Sequence, residues 1–136
     1  MPEPEDARGA IAVGLKLYNA GQHSAALDMF VKALELPGTG LKRFRDKPKL
    51  ISEGEKQAAL FNIACCYSRL GQAREGLAAV AGCLEAGYQD AEQLRTDPDL
   101  DFLRQDERFE GLLQRFRLGQ PGDGGFFGSL LKGFGR

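Results

Sequence analysis

Residues 17–27 read LYNAGQHSAAL, and residues 66–77 read CYSRLGQAREGL. Each stretch contains the apolar end of one helix, a Gly-Gln turn and the start of a second helix, because glycine ends helices readily and the flanking apolar residues recur at three- and four-residue steps. A helical hairpin cannot bury its apolar face alone and has to stack on a neighbour. The repetition therefore predicts an all-α fold of stacked hairpins, of the kind that serves binding rather than catalysis.

The helical pattern divides the chain into a folded domain over 9–118 and two flanking segments. Within the domain, helix periodicity and the Gly and Pro stop signals predict two hairpins, over about 9–36 and 55–86, joined by a basic insertion over 37–54. A closing helical pair is expected over about 90–117, and within it Asp97 or Thr96 caps a helix that has Pro98 in its first turn. We expect a flexible N-terminus over 1–8 and a glycine-rich apolar tail over 119–136.

Length and charge restrict the possible functions. The chain has 136 residues, enough for one domain with a modest core. Its 18 basic and 19 acidic side chains give a formal net charge of -1, so no overall positive field would attract nucleic acid, and we expect no nucleic-acid partner. No segment approaches the roughly 18 consecutive apolar residues of a membrane span, which indicates a soluble or peripheral protein.

Residues that could carry chemistry are few. The three cysteines include the adjacent pair Cys65 and Cys66 in an apolar helical pattern, which favours structural thiols in a reducing compartment over a disulfide framework or a zinc site. His23, the single histidine, has no nucleophile at a recognisable spacing, and the acidic run over 97–101 lacks the pattern of a calcium loop. The sequence predicts no enzyme, metal site, cofactor or small-molecule substrate, although a redox regulator using Cys65 or Cys66 remains an alternative.

The two hairpins carry small and large residues at the spacing of tetratricopeptide repeats, which supports an α-solenoid. These residues are Gly14, Gly21, Ala26, Phe30 and Ala33 in the first hairpin, and Ala64, Tyr67 and Gly71 in the second. More specific stretches are FNIACCYSRL over 61–70, GYQD over 87–90 and RTDPDL over 95–100. Together they resemble the C-terminal repeat domain of the plant and algal thylakoid proteins that join a PDZ domain to tetratricopeptide repeats and assist photosystem II supercomplex assembly and repair.

This resemblance covers about residues 10–116 and implies a function. It implies a non-catalytic scaffold or assembly factor, with photosystem II core subunits as partners and a peripheral location on the stromal side of the chloroplast thylakoid. The alternative is a general peptide-docking or co-chaperone adaptor built from the same repeats.

The concave face of such a solenoid is the first candidate partner-binding site. The first-helix positions that hold Lys and Asn in a carboxylate clamp match Ile11 and Leu15 here, so we expect no clamp for acidic peptide ends. We expect an apolar or helical partner segment, with Asn62 and Arg69 setting its register. The expected concave residues are Ile11, Leu15, Phe61, Asn62, Cys65 and Arg69.

Two further segments are candidate contacts. The basic insertion is either a solvated loop or a contact for an acidic protein surface or an anionic lipid headgroup, through Lys42, Arg43, Phe44, Arg45, Lys47 and Lys49. The tail either folds back on the last helix or docks in a membrane interface or a partner groove, so a peripheral membrane contact is open. Its apolar residues are Phe126, Phe127, Leu130, Leu131 and Phe134.

Overall fold

The computed structural model describes residues 3–116, and that part of the chain contains helices and turns but no strand, which confirms the predicted all-α class. The predicted tail over 119–136 lies outside the described residues. Helix α1 packs against α2, α3 against α4, and α2 against α3. The helices are α1 (Ala7–Asn19), α2 (His23–Ala33), α3 (Glu53–Arg69), α4 (Ala73–Glu85), α5 (Ala91–Thr96), α6 (Asp101–Arg104) and α7 (Glu107–Arg115), with a 3-10 turn at Pro98–Leu100 between α5 and α6.

Both Gly-Gln turns stop their helices by the same backbone arrangement. Gly21 has φ 82° and Gly71 has φ 74°, in the left-handed region that glycine enters without steric cost. The Gln22 amide donates to the Leu17 carbonyl at 2.9 Å, and the Gln72 amide donates to the Tyr67 carbonyl at the same distance. These bonds satisfy carbonyls at the helix ends that would otherwise lack a partner.

One hydrophobic core runs from the first hairpin to the last helix. Its largest fully buried side chains are Phe30, Phe109, Leu84, Leu94, Leu100, Leu103 and Leu113. A second, smaller cluster consists of the buried alanines Ala7, Ala10, Ala33 and Ala59, where α1, α2 and α3 approach one another. Helices α5, α6 and α7 therefore share one core with the second hairpin.

Two helices begin earlier than the sequence pattern predicts. Asp6 caps α1, because its carboxylate accepts a hydrogen bond from the Gly9 amide at 2.8 Å, and Ala7 is fully buried. Residues 7 and 8 therefore belong to the folded domain and not to a flexible N-terminus. Ser52 caps α3, so residues 53 and 54 belong to that helix rather than to the basic insertion.

The closing element is three short helices and a 3-10 turn instead of the predicted helical pair. The break follows from the Asp97-Pro98 step, because the residue before proline is pushed out of the helical region, and Asp97 has φ -65° and ψ 120°. The predicted Asp97 cap is present, since its carboxylate accepts a hydrogen bond from the Asp99 amide at 2.9 Å. Asp106 starts α7 in the same way, accepting from the Arg108 amide.

None of the helices in residues 3–116 has both the length and the apolar character that crossing a bilayer requires.

Candidate functional site

An apolar groove lies between α1 and the first half of α3. Helical periodicity brings Ile11 and Leu15 to the same side of α1, facing Ala58 of α3, and Leu15 is 40% exposed. The groove encloses about 480 Å³. Its lining residues are Arg8, Ile11, Ala12, Leu15, Ser52, Gly54, Glu55 and Ala58. A groove with apolar walls between two helices is suited to an apolar side chain or to one face of a partner helix.

Glu55, in the first turn of α3, is a polar residue of the groove lining. Its side chain is only 7% exposed, and one carboxylate oxygen accepts hydrogen bonds from the Ser52 and Thr39 amides, both at 2.9 Å. The other oxygen accepts from Nε of Arg8 at 3.1 Å. Burial raises the pKa of Glu55, but these hydrogen bonds outweigh it and lower the pKa to about 2. Glu55 therefore remains a carboxylate that joins α1, the basic insertion and α3.

The sequence interpretation missed this role of Glu55, although a signal was present. Ser52 and Glu55 form a capping box, in which the Glu55 amide donates to Oγ of Ser52 at 3.1 Å and the carboxylate accepts from the Ser52 amide. The pattern Ser-x-x-Glu before an apolar helix is a known start signal. The contacts with Thr39 and Arg8 have no local pattern, because they join residues far apart in the chain.

Only two of the six predicted concave residues line this groove, namely Ile11 and Leu15. The Phe61 ring packs against Tyr88, with centroids 5.4 Å apart, and the Asn62 side chain donates to the Ala58 carbonyl of its own helix at 2.9 Å. Cys65 is 3% exposed and offers no surface to a partner, which corrects its prediction as a contact residue. Its burial comes from the closing element, which packs over the second half of α3.

Arg69, in the second hairpin, connects that hairpin to the first hairpin and to the closing element. Nη2 donates to Asp99 of the 3-10 turn at 2.5 Å, and Nε donates to the Tyr18 hydroxyl of α1 at 3.3 Å. The bond with Asp99, with a smaller contribution from Tyr18, raises the pKa of Arg69 further. The guanidinium that was predicted to set the register of a partner is thus already engaged within the domain.

The three thiols are buried, and burial disfavours their reactive thiolate form. Burial raises the pKa of Cys66 and of Cys83 to about 12, and it raises the pKa of Cys65 as well. Since the thiolate is the nucleophile, a thiol that stays protonated reacts slowly. These environments favour the structural interpretation of the thiols. His23, the histidine in the first turn, packs edge-on against Tyr18 with centroids 4.8 Å apart, as expected of a packing residue.

One group of side chains has the elements of a metal site. The Cys65 sulfur and carboxylate oxygens of Asp97 and Asp99 lie within 4.8 Å of one another. Both carboxylates are already used, because Asp97 accepts from the Asp99 amide and from the Gln93 side chain, and Asp99 accepts from Arg69. Asp97 thus serves as the cap of the 3-10 turn, and Asp99 forms an ion pair with Arg69.

The basic insertion is an ordered strap with an exposed tip. At its base the Gly38 amide donates to the Lys49 carbonyl at 3.0 Å and the Gly40 amide donates to the Leu50 carbonyl at 2.7 Å. Every residue from 41 to 50 is exposed, including all six residues predicted as the basic contact. The structure therefore brings those six residues together on one projecting segment.

Comparisons with known proteins identify a plant relative. The chain is similar to a protein of Arabidopsis thaliana whose name describes it as chloroplastic, with 36% identity over 103 residues. The matched region is 76% of this chain and 27% of that protein, so the chain spans about a quarter of the length of this relative. No family model matches the chain. No solved structure matches it significantly.

Proposed function

We propose that this domain is a non-catalytic scaffold that holds an apolar or helical segment of a protein partner in the groove between α1 and α3. The observation that carries the proposal is the exposed apolar wall formed by Ile11, Leu15 and Ala58 in a groove of about 480 Å³. An apolar surface of this kind gains free energy when a partner side chain removes it from water. The ion pair of Arg8 and Glu55 lines the groove and can orient the bound segment.

The proposed partner follows from the relative and from the sequence resemblance. The relative is a chloroplastic protein by name, and the stretch over 61–70 resembles thylakoid proteins with tetratricopeptide repeats. We therefore assign the stacked hairpins to a tetratricopeptide-like solenoid that assists photosystem II assembly, repair or supercomplex formation. Its place in this proposal is the stromal side of the thylakoid, as a peripheral protein in contact with photosystem II core subunits.

The proposed absence of catalysis rests on the environment of the reactive residue types. The thiols of Cys65, Cys66 and Cys83 are buried with raised pKa values, and the His23 ring packs on Tyr18. Thiol labelling of the folded domain slower than that of the unfolded chain would agree with this, and faster labelling would favour the redox alternative.

Capture from detergent-solubilised thylakoids tests the scaffold proposal. We expect the immobilised domain to recover photosystem II core proteins, and Leu15→Glu to abolish the recovery because it places a charge in the apolar groove. The matched control is Val31→Glu, at an equally exposed position on α2 outside the groove. Recovery that survives Leu15→Glu contradicts the groove assignment, and recovery of other proteins alone contradicts the photosystem partner.

The co-chaperone alternative makes a different prediction. A synthetic acidic C-terminal peptide of the kind that chaperones present would bind saturably, and Asn62→Ala would abolish its binding. In the structure the Asn62 amide group donates to the Ala58 carbonyl, which leaves it less available to a peptide carboxylate. We therefore expect no such binding in a calorimetric titration.

A further inference from the structure

The tip of the basic strap concentrates positive charge on a chain that is otherwise acidic. Residues 41–50 carry five cations and one carboxylate, a net charge of +4, whereas the whole chain carries -1, which leaves -5 on all other residues. None of the five cations forms an ion pair within residues 3–116. Their charge is therefore available to a partner. The five cations are Lys42, Arg43, Arg45, Lys47 and Lys49.

Three of these cations line a concave apolar pocket. Phe44, 58% exposed, faces a cavity of about 300 Å³ that it shares with Leu36, Pro37 and Leu50. Arg43, Lys47 and Lys49 also line the cavity, with Pro48 and the single carboxylate Glu35. The pocket thus has an apolar floor and a rim on which positive charge predominates.

The strap holds this pocket in a defined shape. The Leu50 amide donates to the Leu41 carbonyl at 2.8 Å, which joins the two ends of the tip. The Lys47 amide donates to the Phe44 carbonyl at 3.2 Å, which closes a turn within the tip. At the base, Glu55 accepts from the Thr39 amide. A pocket that exists before binding avoids the entropic cost of ordering a loop.

We propose that this pocket is a second docking site, which binds an acidic segment of a partner protein by accepting one bulky apolar side chain while the cations contact its carboxylates. An aromatic or aliphatic anchor inserted in a pocket is the usual centre of a protein interface, and opposite charges around it speed and orient the encounter. A volume of about 300 Å³ is at the lower end of binding pockets and is large enough for one aromatic ring.

The concave shape favours a protein segment over a membrane surface. A bilayer takes up apolar side chains that project from a convex surface, whereas Phe44 and Leu50 line a cavity that needs an inserted group to fill it. This site is separate from the groove between α1 and α3, with no lining residue in common. Its test is therefore independent of the proposed groove function.

Calorimetric titration with two synthetic decapeptides tests the proposal on the full chain. One consists of Asp and Glu with a single central Phe, and the other replaces that Phe with Ser. We expect the Phe peptide to bind about tenfold more tightly than the Ser peptide, since burying an aromatic ring exceeds the roughly 1.4 kcal/mol that a factor of ten requires. Equal affinities would overturn the pocket assignment.

Two protein variants locate the binding. Phe44→Ala should remove most of the preference for the Phe peptide, whereas Phe102→Ala, at an exposed phenylalanine of α6, should leave it unchanged. The double charge reversal Lys47→Glu and Lys49→Glu should weaken binding of both peptides by about tenfold or more. The matched reversal Lys56→Glu and Arg74→Glu, at exposed cations outside the pocket, should have less than about a twofold effect. Binding that is weakened by the control reversal Lys56→Glu and Arg74→Glu, but not by Lys47→Glu and Lys49→Glu, would place the binding site elsewhere and overturn the proposal.

A vesicle measurement separates the membrane outcome. Co-sedimentation uses vesicles of phosphatidylglycerol and phosphatidylcholine, with pure phosphatidylcholine as the control, for the wild-type chain and Phe44→Ala. The proposal expects Phe44→Ala to leave any sedimentation unchanged. Sedimentation that is lost in Phe44→Ala, together with no binding of either peptide, would overturn the proposal in favour of a lipid surface.

Discussion

The two hairpins solve the same packing problem with different pairs of residues. In the first, Gly14 of α1 lies under the Phe30 ring of α2, and a Cβ added at this glycine would lie 2.5 Å from a ring carbon. In the second, the positions 50 residues further along are Ala64 and Val80. The larger residue on the first helix is matched by a smaller one on the second helix, as close packing requires.

A second difference shows where the closing helices attach. The residue of the second hairpin that is equivalent to Ala26 is Gly76. A Cβ added at Gly76 would lie 2.5 Å from the Leu103 side chain of α6. The first hairpin packs largely through its own aromatic ring, whereas the second leaves space for a side chain from the closing element. A departure from the repeat spacing therefore marks the place where the next element docks.

The largest effect should come from the ring that distinguishes the first hairpin. Phe30→Ala removes a side chain that is 0% exposed and should lower the free energy of unfolding by about 4 kcal/mol, because a cavity remains above Gly14. Val80→Ala, at the equivalent position, should cost about 2 kcal/mol. Urea unfolding of both variants checks the difference, and equal losses would show that the two hairpins do not differ in this way.

The start of each hairpin gives the next prediction. Glu55→Gln should destabilise the domain by about 2 kcal/mol at neutral pH, because a buried carboxylate with three hydrogen-bond donors is replaced by an amide. Asp6→Asn, at the exposed cap of α1, should change stability by only about 0.3 kcal/mol, since both residues cap helices well. Thermal unfolding at pH 7 compares them.

The pH dependence of this effect has a definite sign. In the folded state the pKa of Glu55 is about 2, below its ordinary value of 4.5, so its contribution is complete above pH 4.5. That contribution is lost as the pH falls from 4.5 towards 2. The difference between wild type and Glu55→Gln should therefore disappear near pH 2, and a difference that persists there would contradict the lowered pKa.

Replacing each of the two closely packed glycines, Gly14 and Gly76, with alanine should give two unequal losses of stability. Gly14→Ala meets three atoms of a rigid ring within 2.9 Å, so we expect a net loss of about 2 kcal/mol after the gain in helix propensity. Gly76→Ala meets the end of the flexible Leu103 side chain and should cost about 1 kcal/mol or less. Equal or reversed losses in urea unfolding would contradict this account of the two close approaches.

The smallest effect is expected where an ion pair joins α3 to the closing element. A double-mutant cycle with Arg69→Ala and Asp99→Ala should give an interaction energy of about 0.5 kcal/mol, because the pair is partly exposed and screened by solvent. A value several times larger would mean that the polar bridge, rather than apolar packing, holds the closing element on α3.

Local signals made part of the fold predictable from sequence. The Gly21 and Gly71 stops were predictable because a left-handed residue after an apolar helix is specified by the glycine itself. The Asp97 cap was predictable for a similar reason, since cap and proline are adjacent. What the sequence did not reveal depends on tertiary structure: Cys65 was predicted to face a partner, but it is buried beside Asp97 and Asp99 of the closing element. The contact of Glu55 with Thr39 likewise depends on the path of the strap.

The polar contacts that join the hairpins also indicate an order of folding. Each hairpin closes through a turn of three residues, so its two helices can meet after a very short search. The bond from Arg8 to Glu55 spans 47 positions and the one from Arg69 to Tyr18 spans 51. Because contacts that are distant in sequence are slow to form, we expect the hairpins to assemble first and these two side-chain bridges to lock their stacking late in folding.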